Sequence, residues 1–380
     1  MANRKRRRIA KGFSNSFRRK FKPPKKSIRK KKRNYDHETE FRQTSSKQLN
    51  TERVSNYWKE RAYTAGYQAA TAEESSRSAE KEMSPYQQVN KSWNRWYQSV
   101  KPLPWPVYYA TAAKFAEGYC KHSKVYFGNR VLLPTDKTVA AIVMVMNEKD
   151  TILQVIEQLH RMTLHEIIFV VNGSTDESFE MIRNQSNAVI IHYQQALGHD
   201  VGRAIGAKLA DSDILLFLDG DFPVLAEHLV PFIDAIERGM DIALNNISPY
   251  IGLFSGRDYV TTVKEFINRS MSREDLEANS LTAVPHAMRK EAARIIGYGN
   301  LAVPPKAQVI AIEKGLSINA PASVDVITRN RLRTRNVGPY NAVSDMIIGD
   351  HIEALKTAID LKGSRLSFKD QIRHRQITKV

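Results

Sequence analysis

The chain has 380 residues, 42% of them hydrophobic, and a formal net charge of +18. That leaves room for two domains and a sizeable core, but the charge is lopsided: residues 1–34 hold 17 Lys/Arg and no acid, leaving 41 bases against 40 acids in residues 35–380. The balanced body argues against nucleic acid as the main partner, since a nucleic-acid-binding fold carries its basic face within the folded domain, and the lone Cys120 excludes a disulfide framework or multi-cysteine metal site and suits a reducing compartment.

Residues 1–34 are low in complexity, with RKRRR, RRKFKPPKK and RKKKR runs. Such a segment repels itself and buries nothing, so it is expected to be a disordered polybasic tail. Its targets by charge, through residues 4–33, are an anionic membrane surface or an acidic polymer; a merely solvated tail is the plain alternative. Phe13, Phe17 and Phe21 would add an apolar stripe if the segment became helical. Arg4 to Arg8 lead into Ile9-Ala10-Lys11 and more charge, so a secretory leader is not expected. A cytoplasmic location follows, peripheral to the inner membrane face if the tail is a tether.

Residues 35–137 read as a polar helical extension or linker. Between 35 and 100 the only branched aliphatics are Leu49, Val54, Val89 and Val100, too few for an independent core. Aromatics recur at helical spacing instead, as Tyr63 with Tyr67 and Trp93 with Trp96 and Tyr97. The segment 101–106, KPLPWP, is a stop, and a helix over 107–119 follows it.

From residue 138 strands and helices alternate. The run 139–146 is the longest apolar one and has strand length, far short of the roughly 18–20 residues a bilayer crossing needs. Helical spacing marks 150–162, strand texture 167–171, a capped helix reaches 184, and a strand covers 188–193. A helix at 202–210, a strand at 214–218, a helix at 227–238 and a strand at 241–246 complete the series. This order implies an α/β fold: a doubly wound, mixed but mainly parallel sheet with helices on both faces. Ligands in such sheets bind outside the carboxyl ends of the strands. The polar motifs fall there: Asn147-Glu148, Asn172 to Asp176, and Asp219-Gly220-Asp221.

Asp219 and Asp221 are two apart at a strand end, so in extended backbone their carboxylates converge on one space. Hard oxygen ligands suit Mg²⁺ or Mn²⁺. An ion there would neutralise a diphosphate leaving group; a turn of solvated acids is the alternative. Neither GxxxxGK[ST] nor GxGxxG follows the first strand, which disfavours a P-loop or dinucleotide site. The segment 198–203, opening a helix, is left to hold a diphosphate, with Arg203 as phosphate contact or surface arginine.

This ordered set resembles family 2 glycosyltransferases of the GT-A fold, over about residues 138–362. The matching motifs are Val145-Met146-Asn147-Glu148, Val171-Asn172-Gly173-Ser174-Thr175-Asp176, the loop 198–206, and Leu218-Asp219-Gly220-Asp221. The resemblance implies a metal-dependent, hexosyltransferase-like enzyme. It would move a sugar from a nucleotide-diphosphate donor, most often a UDP-sugar, to a hydroxyl acceptor, as in cell-surface or envelope polysaccharide and glycoconjugate synthesis. By position Asn147, Glu148, Asn172, Ser174, Asp176, Gly198, Arg203 and Asp219 would bind the nucleotide-sugar. Asp219 and Asp221 would hold Mn²⁺ or Mg²⁺, and Asp221 and His286 would serve catalysis. Asn172 stands where the family has an acid that reads the base.

The donor half is expected at 138–247, an acceptor half at 248–362 and a tail at 363–380. Leu281 to Lys290 look like the family's acceptor segment. Counting back from Lys314-Gly315, where inverting members carry an acid pair, lands on Val303-Pro304-Pro305. Asp258, Glu291 or Asp325 would then be the base, or the reaction retains configuration, or the chain is a non-catalytic assembly or binding protein with a degenerate fold. Retaining enzymes of this fold use a histidine in the C-terminal half on the metal. His351 is that candidate; otherwise Asp350 caps a helix with His351 in its first turn. Arg329, Arg331, Arg333 and Arg335 would grip an anion as a lid.

Overall fold

The computed structural model describes residues 54–75, 83–328 and 342–369. The expectations for the basic segment 1–34 and for the arginines at 329–335 lie outside the described residues. The sheet has seven strands: β1 (Val139–Val145), β2 (Glu166–Asn172), β3 (Val189–Tyr193), β4 (Ile214–Asp219), β5 (Ile242–Asn245), β6 (His286–Arg289) and β7 (Ile318–Ala322). Their order is β3-β2-β1-β4-β6-β5-β7, with β6 antiparallel to both neighbours and every other pairing parallel. This is the mixed, mainly parallel sheet expected from the order of strands and helices. Strand and helix limits in 138–247 fall within a residue or two of those read from the periodicity.

The continuous apolar texture of β1 follows from burial on both faces. Val139, Ala141, Val143 and Val145 join one hydrophobic cluster, and Ala140 and Ile142 join another. β4 divides the same way, with Ile214, Leu216 and Leu218 on the first face and Leu215 and Phe217 on the second. Helices α4 (Ile152–His160), α5 (Ser178–Gln185) and α7 (Ala226–Glu237) cover the first face. Helices α6 (Val201–Leu209), α9 (Lys290–Ile296) and α10 (Pro304–Glu313) cover the second. Gly206 lets α6 lie close on β1, because a Cβ there would fall 2.3 Å from the Ile142 side chain.

Ahead of the sheet come α1 (Asn56–Ser75), α2 (Pro85–Gln98) and α3 (Trp105–Ser123). With few aliphatics, they pack by aromatic rings. Trp93, Tyr97, Tyr108 and Phe115 are fully buried in the same cluster as the first face of the sheet. Buried indole and phenol groups need partners, and two of these have them: Trp93 Nε1 donates to the Tyr108 hydroxyl (3.2 Å), which donates to the Leu132 carbonyl (2.7 Å). The Tyr109 hydroxyl donates to the Glu227 carbonyl on α7 (2.5 Å). Asn90 accepts from the Leu133 N–H (2.6 Å) and donates to the Thr135 carbonyl (3.1 Å), fixing the lead-in to β1.

Farther along lie α8 (Tyr259–Ser270) and α11 (Ala342–Lys362), which pack on each other and on α10. α11 is longer than the apolar stretch expected from 352 onward. Asp350 and His351 are therefore in mid-helix, and the expected cap at Asp350 is corrected.

The crossing of α1 over α3 depends on a pair of glycines. A Cβ on Gly66 would lie 2.0 Å from the Phe115 carbonyl oxygen, and one on Gly118 would lie 2.1 Å from that of Tyr63. Backbone cannot yield as a side chain does. Gly118→Ala is expected to lower stability by about 1–3 kcal/mol as overpacking, read from the midpoint of urea denaturation. An unchanged midpoint would show that the helices do not cross this closely.

Candidate active site

Parallel β1, β2, β4, β5 and β7 all end at one edge of the sheet, and the motif residues gather there. Asn147 leaves β1 in a left-handed conformation (φ 60°). Its N–H donates to Ser174 Oγ (3.1 Å) and its Oδ1 accepts from the Thr175 N–H (2.8 Å). Asp176 accepts from the N–H groups of Lys149 (3.1 Å) and Ser178 (3.1 Å), and Ser178 Oγ accepts from the Glu148 N–H (2.8 Å). Burial alone would raise the Asp176 carboxyl, but these donors and the Lys149 charge hold it below its ordinary range. Asn172 accepts from the Leu197 N–H (2.8 Å) and donates to the Gly198 carbonyl (2.7 Å). Gly198 is at φ 125°, open only to glycine without strain. Asn147, Asn172, Ser174, Asp176 and Gly198 thus stand at the expected edge, and their polar groups latch the loops after β1, β2 and β3 to one another.

Asp219 closes β4 on the face of Leu215 and Phe217, the side covered by α6. The following turn is pinned: Gly220 N–H donates to the Met144 carbonyl (2.8 Å), and the Thr151 hydroxyl donates to the Gly220 carbonyl (2.7 Å). The Asp219 side chain is 38% open on one side. Protein crowds it on the others, and its carboxyl is pushed up to about 7. Burial is the main cause; Arg203 pulls the other way, while Asp221, Asp200 and Glu148 add like charge.

Arg203 is buried on α6. Its guanidinium pairs with Asp200 (3.0 Å), donates to the carbonyls of Leu281 (2.7 Å) and Thr282 (3.5 Å), and comes within 4.0 Å of Asp219. The surface-arginine alternative is corrected, because the side chain is buried; its two terminal nitrogens donate to carbonyls, while Nε makes no hydrogen bond.

His286 begins β6, buried, stacked on Phe217 with ring centroids 4.9 Å apart. Nδ1 lies 3.2 Å from the Ala283 carbonyl, so that nitrogen carries the proton. Burial first, then the Arg203 charge, pushes the ring down to about 3. It is a neutral group of the site wall. His351 is buried in α11 with Nδ1 2.6 Å from the Ile347 carbonyl. Burial and the Lys264 charge push it down to about 4. Among the described residues no three metal-ligating side chains come together, so His351 does not join Asp219 and Asp221 as a third ligand. Its place inside a helix, its bond to Ile347 and a nearby cation account for that.

Of the proposed bases, Glu291 is at the opposite edge. Its neighbour Lys290 donates its N–H to the Asp213 carbonyl, before β4 begins, and Glu291 itself pairs with Arg294 (2.6 Å). Asp258 and Asp325 are on the correct edge. Asp258 caps α8 through the Thr261 N–H (2.7 Å), and Asp325 accepts from the Thr328 N–H (2.9 Å).

The residue missed in the sequence is Lys264. It is 8% exposed on α8 and has no hydrogen-bond or ion-pair partner among the described residues. Burial pushes its ammonium down to about 8, and Asp258, Arg203, Asp200 and His351 surround it. A signal was available: Lys264 interrupts the helical stripe of Val260, Ile267 and Met271, where an apolar side chain would be the ordinary choice.

Residues 140–293 match the family model described as "Glycosyl transferase family 2". No curated protein matches the chain. Among solved structures, it is similar to glucosyl-3-phosphoglycerate synthase from Mycobacterium tuberculosis in complex with uridine diphosphate. The identity is 16%, over 58% of this chain and 80% of that one, with a TM-score of 0.44. The same enzyme with Mn²⁺, uridine diphosphate and glucosyl-3-phosphoglycerate gives 14% identity, 62% and 82% coverage, and a TM-score of 0.42. Likenesses this distant carry no activity across.

The two depressed histidines set a pH response. Each binds its proton more weakly in the fold, about 3 for His286 and about 4 for His351, than in the unfolded chain, about 6.5. Their contribution is full above about pH 6.5 and is lost as pH falls toward those lower values, by up to about 1.4 kcal/mol per pH unit for each. Urea midpoints between pH 7 and pH 4 are expected to fall, and His351→Leu to flatten the slope by one proton. An unaltered slope in that variant would show that His351 does not titrate this way.

Proposed function

We propose that the protein, whose residues 140–293 match the glycosyl transferase family 2 model, moves a sugar from a nucleotide-diphosphate donor, a UDP-sugar by the family's commonest pattern, to a hydroxyl acceptor. The observation that carries this is the gathering of carboxylates at the end of β4. Asp219 is pushed up in part by Asp221, Asp200 and Glu148, and such crowding is relieved by a cation. Mg²⁺ and Mn²⁺ are held by one or two carboxylates and completed by substrate phosphates and water, so Asp219 and Asp221 fit such an ion without His351. When bound, it would offset the charge of the departing diphosphate.

The chain's own groups do the rest. The latched loops after β1, β2 and β3 form the nucleoside wall, Arg203 favours the ionised form of Asp219 against the like charge of its neighbours, and neutral His286 walls the sugar side. In transfer the acceptor oxygen bonds to the anomeric carbon, the bond to the diphosphate oxygen breaks, and the acceptor proton passes to a base. Val303-Pro304-Pro305 open α10 without an acid, leaving Asp258 and Asp325 as carboxylates of this edge for an inverting route. A retaining route needs neither.

Release of UDP from UDP-sugars in the presence of Mn²⁺ is the test. Asp221→Ala is expected to lower turnover at least about 100-fold, the order seen when a charge-stabilising group is removed. Turnover equal to that of the intact chain would end the metal reading. Tight nucleotide binding with no turnover on any acceptor would favour a non-catalytic binding protein.

We also propose that residues 4–33 hold the protein on an anionic surface, since each base near an acidic bilayer contributes about 1 kcal/mol. Co-sedimentation with phosphatidylserine vesicles, strong at low salt and lost on deleting 1–34, is expected; equal binding to neutral vesicles would contradict it.

A further inference from the structure

Thr151 stands at the N-cap of α4, where a threonine hydroxyl ordinarily accepts from an N–H of the first turn. Here the hydroxyl makes no such cap. The Thr151 backbone carbonyl still accepts from the N–H groups of Gln154 (3.0 Å) and Val155 (3.2 Å), so the helix begins without help from the side chain. The hydroxyl is turned instead to the end of β4, 69 positions away in sequence, where it donates to the Gly220 carbonyl at 2.7 Å. The Glu148 carbonyl, at 3.2 Å, is the more distant choice for its proton.

Gly220 separates the two aspartates, and the peptide units on either side of it are fixed differently. The 219–220 unit is held by backbone, through the Gly220 N–H on the Met144 carbonyl at 2.8 Å. The 220–221 unit is held by a side chain, through the Gly220 carbonyl on Thr151. Close approach to β1 requires glycine here: a Cβ would fall 3.1 Å from Val145 Cγ2 and 3.2 Å from the Met144 carbonyl oxygen. Glycine also leaves the 220–221 unit the widest freedom to rotate. Asp221 turns with that unit, because its own N–H belongs to it. We propose that Thr151 is a positioning residue for the divalent ion: by holding the Gly220 carbonyl it sets where the Asp221 carboxylate stands relative to Asp219. This rests on the metal reading of the two aspartates. The loop after β1, which would wall the nucleoside, thereby also governs the metal carboxylates.

The test is a titration of the full chain with Mn²⁺ in the presence of UDP. It is followed by the electron paramagnetic resonance signal of the free ion, which is lost on binding and needs no turnover. Asp221→Ala is expected to abolish binding, which marks the ion as the one at this turn. Thr151→Val keeps the side chain's shape without the hydroxyl. It is expected to weaken the Mn²⁺ dissociation constant about 3- to 10-fold, the loss of one neutral hydrogen bond. Thr151→Ser keeps the hydroxyl and the bond, so it is expected to stay within about twofold of the parent.

A Thr151→Val protein that binds Mn²⁺ as tightly as the parent would overturn the proposal. So would equal weakening in Thr151→Val and Thr151→Ser, because the hydroxyl by which they differ would then have no part in it. Thr151→Ala decides in the same way if Thr151→Val does not fold. A parent chain that leaves the Mn²⁺ signal unchanged, or an Asp221→Ala protein that binds as the parent does, would instead sink the metal reading itself, and Thr151 would then be a structural tie alone.

Discussion

A sheet covered on both faces has no room for chemistry except at its strand ends. β1 is apolar throughout, and β4 until its last residue, because residues of both parities enter hydrophobic clusters. Polar side chains are tolerated only where the helices no longer cover the strand, and there they meet. That is why Asn147, Asn172 and Asp219, far apart in sequence, share one edge. The loops between them are fixed by side-chain latches that use the same residues. That edge is thus fixed by its own hydrogen bonds, and a ligand bound there would meet a lower ordering cost.

The N-terminal helices belong to this logic although they lie outside the matched family segment. They have too few aliphatic side chains to fold alone, and they solve this by stacking aromatic rings into the sheet's own first-face cluster. Their hydroxyls reach the segment leading into β1 and the start of α7. α7 is the helix that follows Asp221. Glu227 at its first turn is also gripped by Arg161 (3.0 Å through one nitrogen). The extension therefore buttresses the helix behind the Asp-Gly-Asp turn, and loosening it would blur the spacing of the two carboxylates.

Much of this was legible in the sequence, for a definite reason. Period-two burial on both faces makes a parallel strand read as a solid apolar run, so β1, β2 and β4 declare themselves, and the polar residue that ends each run marks the site. What sequence could not supply was partnership. Arg203 looked like a phosphate ligand beside a helix start, yet the carbonyls of Leu281 and Thr282, nearly eighty positions away, engage it. His351 looked like a metal ligand beside a glycine, yet α11 continues through it. Lys264 looked like an ordinary helix lysine, yet it is buried. The Arg203 case turned on contacts between segments distant in sequence, which local pattern cannot show; the His351 case turned on how far its helix extends.

The electrostatics of the site are built in alternation. Arg203 lies within 4.0 Å of Asp219 and pairs with Asp200 at 3.0 Å, and its charge is also felt by Lys264. Buried like charges repel strongly in a poorly screened interior, so every member of such a series depends on its neighbours being present. Gln308 of α10 takes part without any charge. It holds the Leu281 N–H (2.9 Å) and Asn268 (2.7 Å), and so sets the carbonyl on which Arg203 rests. The second half of the chain thereby positions the guanidinium that pulls Asp219 downward against its burial. A change in α8, α10 or the 281–282 segment would be felt at Asp219 through Arg203. One guanidinium thus joins the 281–282 segment to the end of β4, so the charge at Asp219 cannot be treated apart from the second half of the chain.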